Sequence, residues 1–449
     1  MHSQTFQLFA ILRRSVLTPA LLIVCILVFS AKVFSQSPDN VLYTFQATND
    51  GAGPNGELVV DSAGNLYGTT AGGGPYEAGT AFELSPPTAP GGAWTETILY
   101  NFNFNIGVNP FAGFTMDAAG NLYGTTWLGG AGGGGDVFEL SPPAEQGGAW
   151  TASVVYDFSA PNDGYSPLAP VTFDKAGNLY GTTSTGGKSV GPCMGGCGTV
   201  FRLAPPAGGS GSWTETVLYN FPGTGGEGGY GGTLGGVTVG PDGSVYGTSF
   251  ADPTKAKGKL GNIFRLSPKG NKRGSYKFSI LYKFAGGADG SAPDGTLIFD
   301  QQGNLYGTTS GGGTGSSGTV FQLTNNGNPQ GGWTETVLYS FTGGADGANP
   351  GGKLLMDGAG NLYGMAASGG DFSCYTTGCG TVFELSPPAK PGDSWTETTL
   401  HAFAGGSDGE YPTGGVIFGL NDLLYGVTGF GGSTACGGLG CGTVYSLNP

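Results

Sequence analysis

A single block, Asn-Leu-Tyr-Gly-Thr with minor variants, recurs seven times along the chain, centred on Tyr67, Tyr123, Tyr180, Tyr246, Tyr306, Tyr363 and Tyr425 at spacings of 56 to 66 residues. A repeat of that length holds one supersecondary unit that cannot bury its own apolar face. The copies must therefore stack on one another, and length alone does not divide the 449 residues into several domains. The fifth copy shows the unit clearly, with four β-like runs: Thr296 to Asp300, Asn304 to Thr309, Thr319 to Leu323 and Trp333 to Phe341. Alternation and β-branched or aromatic enrichment mark these runs as strands. An Asp-x-x-Gly turn separates the first two at Asp61, Asp117, Asp174, Asp300 and Asp357, with a shortened Asp242-Gly243 form in the fourth copy. Aspartate bonds to nearby backbone in such turns and glycine accepts positive φ, so these carboxylates are read as structural.

Glycine reaches 92 residues, charged residues only 11% and aromatics 12%. Long amphipathic helices do not fit that mixture, and regularly spaced aromatic and β-branched residues argue against low-complexity disorder. Four short strands repeated seven times predict an all-β fold, a seven-bladed β-propeller of four-stranded antiparallel blades. The chain ends bear on closure. The seventh copy stops at its third strand, Thr443 to Leu447, while Val41-Leu42-Tyr43-Thr44-Phe45 is an orphan fourth-strand motif ahead of the first copy. Joining them completes the last blade and removes two exposed sheet edges, so residues 36–449 are expected to form one closed propeller.

The blocks Asn-Leu-Tyr-Gly-Thr, Gly-Thr-Val-Phe-x-Leu and Trp-Thr-Glu-Thr-x-Leu-Tyr-x-Phe resemble the GloVer (Gloeo_Verruco) tandem repeat of bacterial exported proteins, over essentially the whole chain after the leader. The resemblance implies export and a repeat fold, and it supplies no catalytic residues or activity. Members often end in an anchoring or sorting segment, whereas this chain stops at Pro449 just after its last strand, which leads us to expect release.

Arg13 and Arg14, the apolar run Val16 to Phe29 and small or polar residues through Gln36 read as a secretory signal peptide, residues 1–35, with Val33 and Ser35 at the −3 and −1 positions. A retained membrane anchor is the alternative. Lipidation at Cys25 is not expected, because Val24 stands where a small residue is needed. Cleavage removes three basic residues and no acidic ones, taking the net charge from −14 to −17. That acidity excludes nucleic acid as a natural partner. Nine of the fourteen remaining basic residues cluster between Lys255 and Lys283, read as a solvated insertion or as a docking patch for an acidic polymer or protein.

Six cysteines remain, in three local pairs: Cys193 with Cys197, Cys374 with Cys379, and Cys436 with Cys441, each between the second and third strands of its copy. In an exported chain these are expected disulfides, each worth about 2 kcal/mol for so short a loop. Zinc is the weaker reading, since each pair lacks a nearby histidine. Only His2 and His401 are present, and His401 replaces the tyrosine of Leu-Tyr-x-Phe, so histidine-based hydrolysis has one candidate base, itself read as structural. Trp94, Trp150, Trp213, Trp333 and Trp395, with Tyr276 in the fourth copy, open the outer strands and are read as packing between blades. Glu96, Glu215, Glu335 and Glu397 follow two residues after tryptophans, too widely distributed to form one catalytic group.

A scaffold needs sameness and a site needs difference, so residues that break the repeat are the binding candidates. In the loops expected on one face these are Tyr76, Trp127, Phe250 and Tyr375 between second and third strands, and Phe111, Tyr165, Tyr230 and Tyr411 between blades. Aromatic faces suit sugar rings, and neighbouring carboxylates such as Asp163 suit hydroxyls or a calcium ion; capping of a central channel is the plainer alternative. The Asp-Gly loops at Asp50, Asp163, Asp289, Asp346 and Asp408 are read first as turns. No organic cofactor is expected, because no glycine loop opens a helix. Three functions follow: a secreted monomeric, non-enzymatic module binding an extracellular glycan or protein; a polysaccharide hydrolase or lyase using Asp163, Asp289 and Asp346; and a surface or matrix structural protein.

Overall fold

Among the described residues the sequence folds into short antiparallel strands, and the helical elements between them are three-residue 3-10 turns. The computed structural model describes residues 40–89, 92–145, 147–159, 162–188, 196–209, 211–222, 235–249, 260–270, 274–327, 332–374, 376–390 and 392–449. Residues 39–449 form one compact unit, distinct from residues 1–38. The expected signal peptide, Cys193, Tyr230, Phe250, Tyr375 and much of the basic segment, Lys255 to Lys259 with Lys272 and Arg273, lie outside the described residues.

Five repeats each give a separate sheet, four of them four-stranded and the first five-stranded because Ala52–Pro54 and Val59–Val60 both pair with Leu66–Gly72. An eight-stranded sheet holds the last two, joined through one parallel bridge between Lys353 and Gly415. Asn40–Thr44 pairs antiparallel with Thr443–Leu447, so the orphan N-terminal motif supplies a fourth strand beside the last three. The first strand of most repeats is shorter than its sequence pattern: only Ile298–Phe299 of the run from Thr296 pairs regularly with its neighbour. The residues ahead of it turn toward the adjacent repeat. Ala348–Met356 and Glu410–Phe418 are longer because a register shift absorbs the same turn within the strand.

Packing between sheets uses one device seven times. Phe45, Phe102, Phe158, Phe221, Phe284 and Phe341 meet Phe82, Phe138, Phe201, Phe264, Phe321 and Phe383, and Phe403 meets Tyr445, with ring centroids 5.0 to 5.6 Å apart. Each pair joins the end of one sheet to the third strand of the next repeat. Edge-to-face pairs of this kind contribute about 1 kcal/mol each beyond the area they bury. Tryptophans that open outer strands pack on tyrosines of the preceding repeat, as in Tyr67–Trp150 and Tyr123–Trp213, and Trp94 packs on Tyr425 of the last repeat.

Threonines link the inner ends of the sheets. Thr69, Thr125, Thr182 and Thr248 donate to the carbonyls of Ala112, Ala169, Gly235 and Gly295, each in the following repeat, and Thr413 donates to Pro54 at 3.2 Å across 359 positions. The inner turns touch backbone to backbone. A Cβ on Gly56 would overlap Gly113, and one on Gly414 would overlap Gly56, so glycine is required there by contact.

Candidate functional site

The inner turns of all seven repeats surround one cavity of about 510 Å³, with Gly56, Ala112, Ala169, Gly235, Gly295, Gly352 and Gly414 among its lining residues, one from each repeat. These seven occupy equivalent places, five residues ahead of the turn aspartate wherever that aspartate is present, as at Asp61, Asp174, Asp300 and Asp357. The small residues bring the backbones together. The side chains facing the cavity come from the flanking positions.

One step earlier stand Asn55, Phe111, Leu168 and Asp294, and one step later Glu57, Thr296 and Lys353. Phe111 packs edge-on against Trp127, centroids 5.6 Å apart, and both line the cavity. The local chain explains the meeting: Trp127 follows the strand Leu122–Thr125, and its N–H donates to the Asn109 carbonyl two residues before Phe111. Two aromatic residues that break the repeat are thus brought to one wall.

Three charged groups line the cavity among the described residues: Glu57, Lys353 and Asp294. The Lys353 ammonium lies 3.3 and 3.4 Å from the Glu57 carboxylate oxygens. Burial pushes the Glu57 carboxyl up, and the lysine partly reverses it. Asp294 has no such relief. Its Oδ1 is buried without a hydrogen-bond partner, and burial raises the carboxyl to about 6 against a small lowering by its own backbone.

The remaining candidates stand elsewhere. Tyr76 is 61% exposed on its loop, and Tyr411 is 48% exposed beside Phe430, centroids 5.9 Å apart. Tyr165 bridges to Thr185 through backbone hydrogen bonds, with its ring beside Gly134. Asp163 Oδ2 accepts from the Tyr156 hydroxyl at 3.1 Å and the Ser159 N–H at 3.3 Å. Asp50 and Asp346 repeat this pattern with Tyr43 and Tyr339, Asp289 accepts from Tyr282 and Ala285, and Asp408 pairs with His401, which takes the tyrosine's place.

Glu96, Glu215, Glu335 and Glu397 remain apart from one another. Each senses the loop aspartate preceding its repeat. Burial first, then the charges of Asp50, Asp163 and Asp289, push Glu96, Glu215 and Glu335 up to about 7; Glu397 reaches about 7 by burial with Asp346 nearby, against a hydrogen bond from Thr399. Among the described residues no three His, Cys, Asp or Glu side chains gather so as to hold a metal ion.

Disulfides join Cys374 to Cys379 and Cys436 to Cys441, and Cys197 is disulfide-bonded as well. Such bonds fit an oxidising, extracytoplasmic compartment. No helix of the described residues is long and apolar enough to cross a membrane.

Sequence reading centred on aromatic loops and overlooked Glu57, Lys353 and Asp294. A signal was present. Aligned on the turn aspartates, Asp294 stands six residues before Asp300 as Phe111 stands six before Asp117, and Glu57 and Lys353 stand four before Asp61 and Asp357. Charged residues are exceptional at both places.

No curated protein is detectably similar to the chain in sequence. Among solved structures it is similar to a protein of unknown function from Dyadobacter fermentans, at 12% identity and TM-score 0.43, covering 91% of this chain and 97% of that one. A PQQ-bound aldose sugar dehydrogenase from Streptomyces coelicolor gives 12% identity and TM-score 0.45 over 91% and 97%, and a putative glucose dehydrogenase from Thermus thermophilus gives 16% and 0.41 over 90% and 99%. Similarity of this order does not extend to activity. The signature of the Gloeobacter/Verrucomicrobia repeat matches residues 28–259 and 233–449, which together span all seven copies and both chain-end motifs; the chain belongs to the Gloeobacter/Verrucomicrobia repeat family.

Proposed function

We propose that this chain is an exported seven-bladed β-propeller, closed by its N-terminal strand, that binds carbohydrate in its central cavity. Support for the ring comes from the contacts that return to the start: Asn40–Thr44 on Thr443–Leu447, Phe45 on Phe82, Trp94 on Tyr425 and Thr413 on Pro54. An open array would leave the first and last sheets without those partners. The reading of the chain as exported rests on its signal-like N-terminus and its disulfides.

The observation that carries the binding reading is the pairing, in one cavity, of an aromatic wall with an unpartnered carboxylate. Phe111 and Trp127 offer apolar faces to sugar C–H groups, and Asp294 offers an acceptor that its surroundings leave unfilled. At about 510 Å³ the cavity lies within the roughly 300–1,000 Å³ range of small-molecule sites. The hydrolase reading has less support, since Asp163, Asp289 and Asp346 are each engaged by a tyrosine hydroxyl and a backbone N–H of their own turns. A glycan array probed with the purified protein, with and without calcium, tests the proposal. Specific binding that disappears in Trp127→Ala supports it, and silence across the array directs attention to protein partners or a structural role.

A further inference from the structure

Asp294 and Phe111 hold the same place in the repeat, in the fifth and second copies, as far apart as two members of a seven-membered ring can be. Both line the cavity, so a bound molecule spanning it has an aromatic face at one end and a carboxylate at the other. We infer that the sugar recognised here carries a protonated amine, held by Asp294. This deepens the carbohydrate reading and rests on it.

The choice of a cation follows from how the charges in the cavity are arranged. Lys353 already has a counter-ion in Glu57, so that pair is electrically balanced. No ion pair or side-chain hydrogen bond of the described residues reaches Asp294, and its Oδ1 is buried. A buried carboxylate without a counter-ion is costly, and beyond a bond from its own backbone no other described residue supplies its complement by hydrogen bond or charge. A neutral hydroxyl supplies one hydrogen bond. An ammonium supplies up to three donors and the missing charge, and charge-assisted hydrogen bonds are about twice as strong as neutral ones. The aromatic pair tolerates either ligand and favours a cation that comes near a ring face. Burial also holds the Asp294 carboxyl near 6, so it is ionised at neutral pH and ready for a cation.

The experiment compares three matched sugars, each in the gluco and galacto series: the neutral sugar, the N-acetylamino sugar and the free amino sugar. Affinity is measured by calorimetry at about pH 7, where an amine of ordinary pKa remains largely charged. The amino sugar is expected to bind about tenfold more tightly than the other two. Asp294→Asn, nearly isosteric, is expected to remove that preference, bringing the amino sugar within about threefold of the neutral sugar on the same variant. Equal affinity for all three sugars overturns the amine assignment and leaves the carbohydrate reading standing. A preference that survives in Asp294→Asn overturns the role of Asp294. Binding of none of the six overturns both readings, and should the variant fail to fold, the three-sugar comparison on the natural chain still decides the amine.

Discussion

The Asp-Gly loops and the inner turns lie only a few residues apart in each repeat, yet they treat a carboxylate in opposite ways. In the loops, Asp50, Asp163 and Asp346 each accept from a tyrosine hydroxyl and a backbone N–H, and the arrangement survives even where His401 replaces the tyrosine at Asp408. At the inner turns the equivalent places hold asparagine, phenylalanine, leucine, glycine, threonine and, once, Asp294, whose Oδ1 has no hydrogen-bond partner. A carboxylate repeated around the molecule is part of the scaffold. Asp50 and Asp163 leave only Oδ1 unmet while a tyrosine hydroxyl holds Oδ2, whereas Asp294 appears once and receives no bond from any other residue, which leaves it available to a ligand.

That contrast can be broken first at the inner turns themselves. Gly56→Ala places a Cβ against the backbone of Gly113, where neither chain can yield without moving a sheet, and should destabilise by about 3 kcal/mol in urea unfolding. A loss below about 1 kcal/mol would mean that the inner contact is loose.

The next effect concerns a scaffold carboxylate. Asp174 accepts from the N–H groups of Ala176 and Asn178, the Asn178 side chain and the Tyr180 hydroxyl, at 2.7 to 3.1 Å. Asp174→Ala strands these donors and should cost about 2 kcal/mol, read as a lowered urea midpoint with unchanged slope.

Changing pH separates two classes of carboxyl without mutation. Glu96, Glu215, Glu335 and Glu397 titrate near 7 in the folded chain against 4.5 ordinarily, so their contribution is full below about 4.5 and is lost as pH rises through 7. Asp61, Asp174 and Asp357 run the other way: burial raises them, but hydrogen bonds from asparagine and backbone together outweigh it and hold them below 3.8. Their contribution is present above 3.8 and fades in stronger acid. Calorimetry should therefore place the highest Tm at about pH 4, with a fall of several degrees by about pH 8. A Tm that rises across that range would contradict the buried glutamates.

The smallest expected effect is the sharpest in sign. Asp294→Asn removes a charge whose burial disfavours the folded state above about pH 6, so it should stabilise the unliganded protein at about pH 8 by about 1 kcal/mol, reduced because the cavity admits water. The same kind of change thus weakens the chain at Asp174 and strengthens it at Asp294. Destabilisation by Asp294→Asn would mean that the carboxylate has a structural partner.

Legibility followed periodicity. The recurring tyrosines, the Asp-x-x-Gly turns and the strand-opening tryptophans each mark a place in the unit, because a residue that does the same packing job in every copy leaves a repeated trace. Phe111 and Trp127 stood out by departing from that trace, but their meeting at one wall did not follow from sequence, since 16 positions separate them and a backbone bond to Asn109 sets the approach. Glu57, Lys353 and Asp294 were harder still. Each looks like an ordinary polar residue before a strand, and only the convergence of the inner turns makes it a cavity residue.

The sequence by itself determined the strands, the turns, the repeat period and the pairing of the chain ends, because these depend on local propensity and on apolar faces that must be covered. Only the tertiary structure decided which side chains share the cavity and which of them lack a partner. Proximity between residues hundreds of positions apart, such as Glu57 and Lys353, is set by how the sheets converge on the inner turns, and no local pattern encodes it.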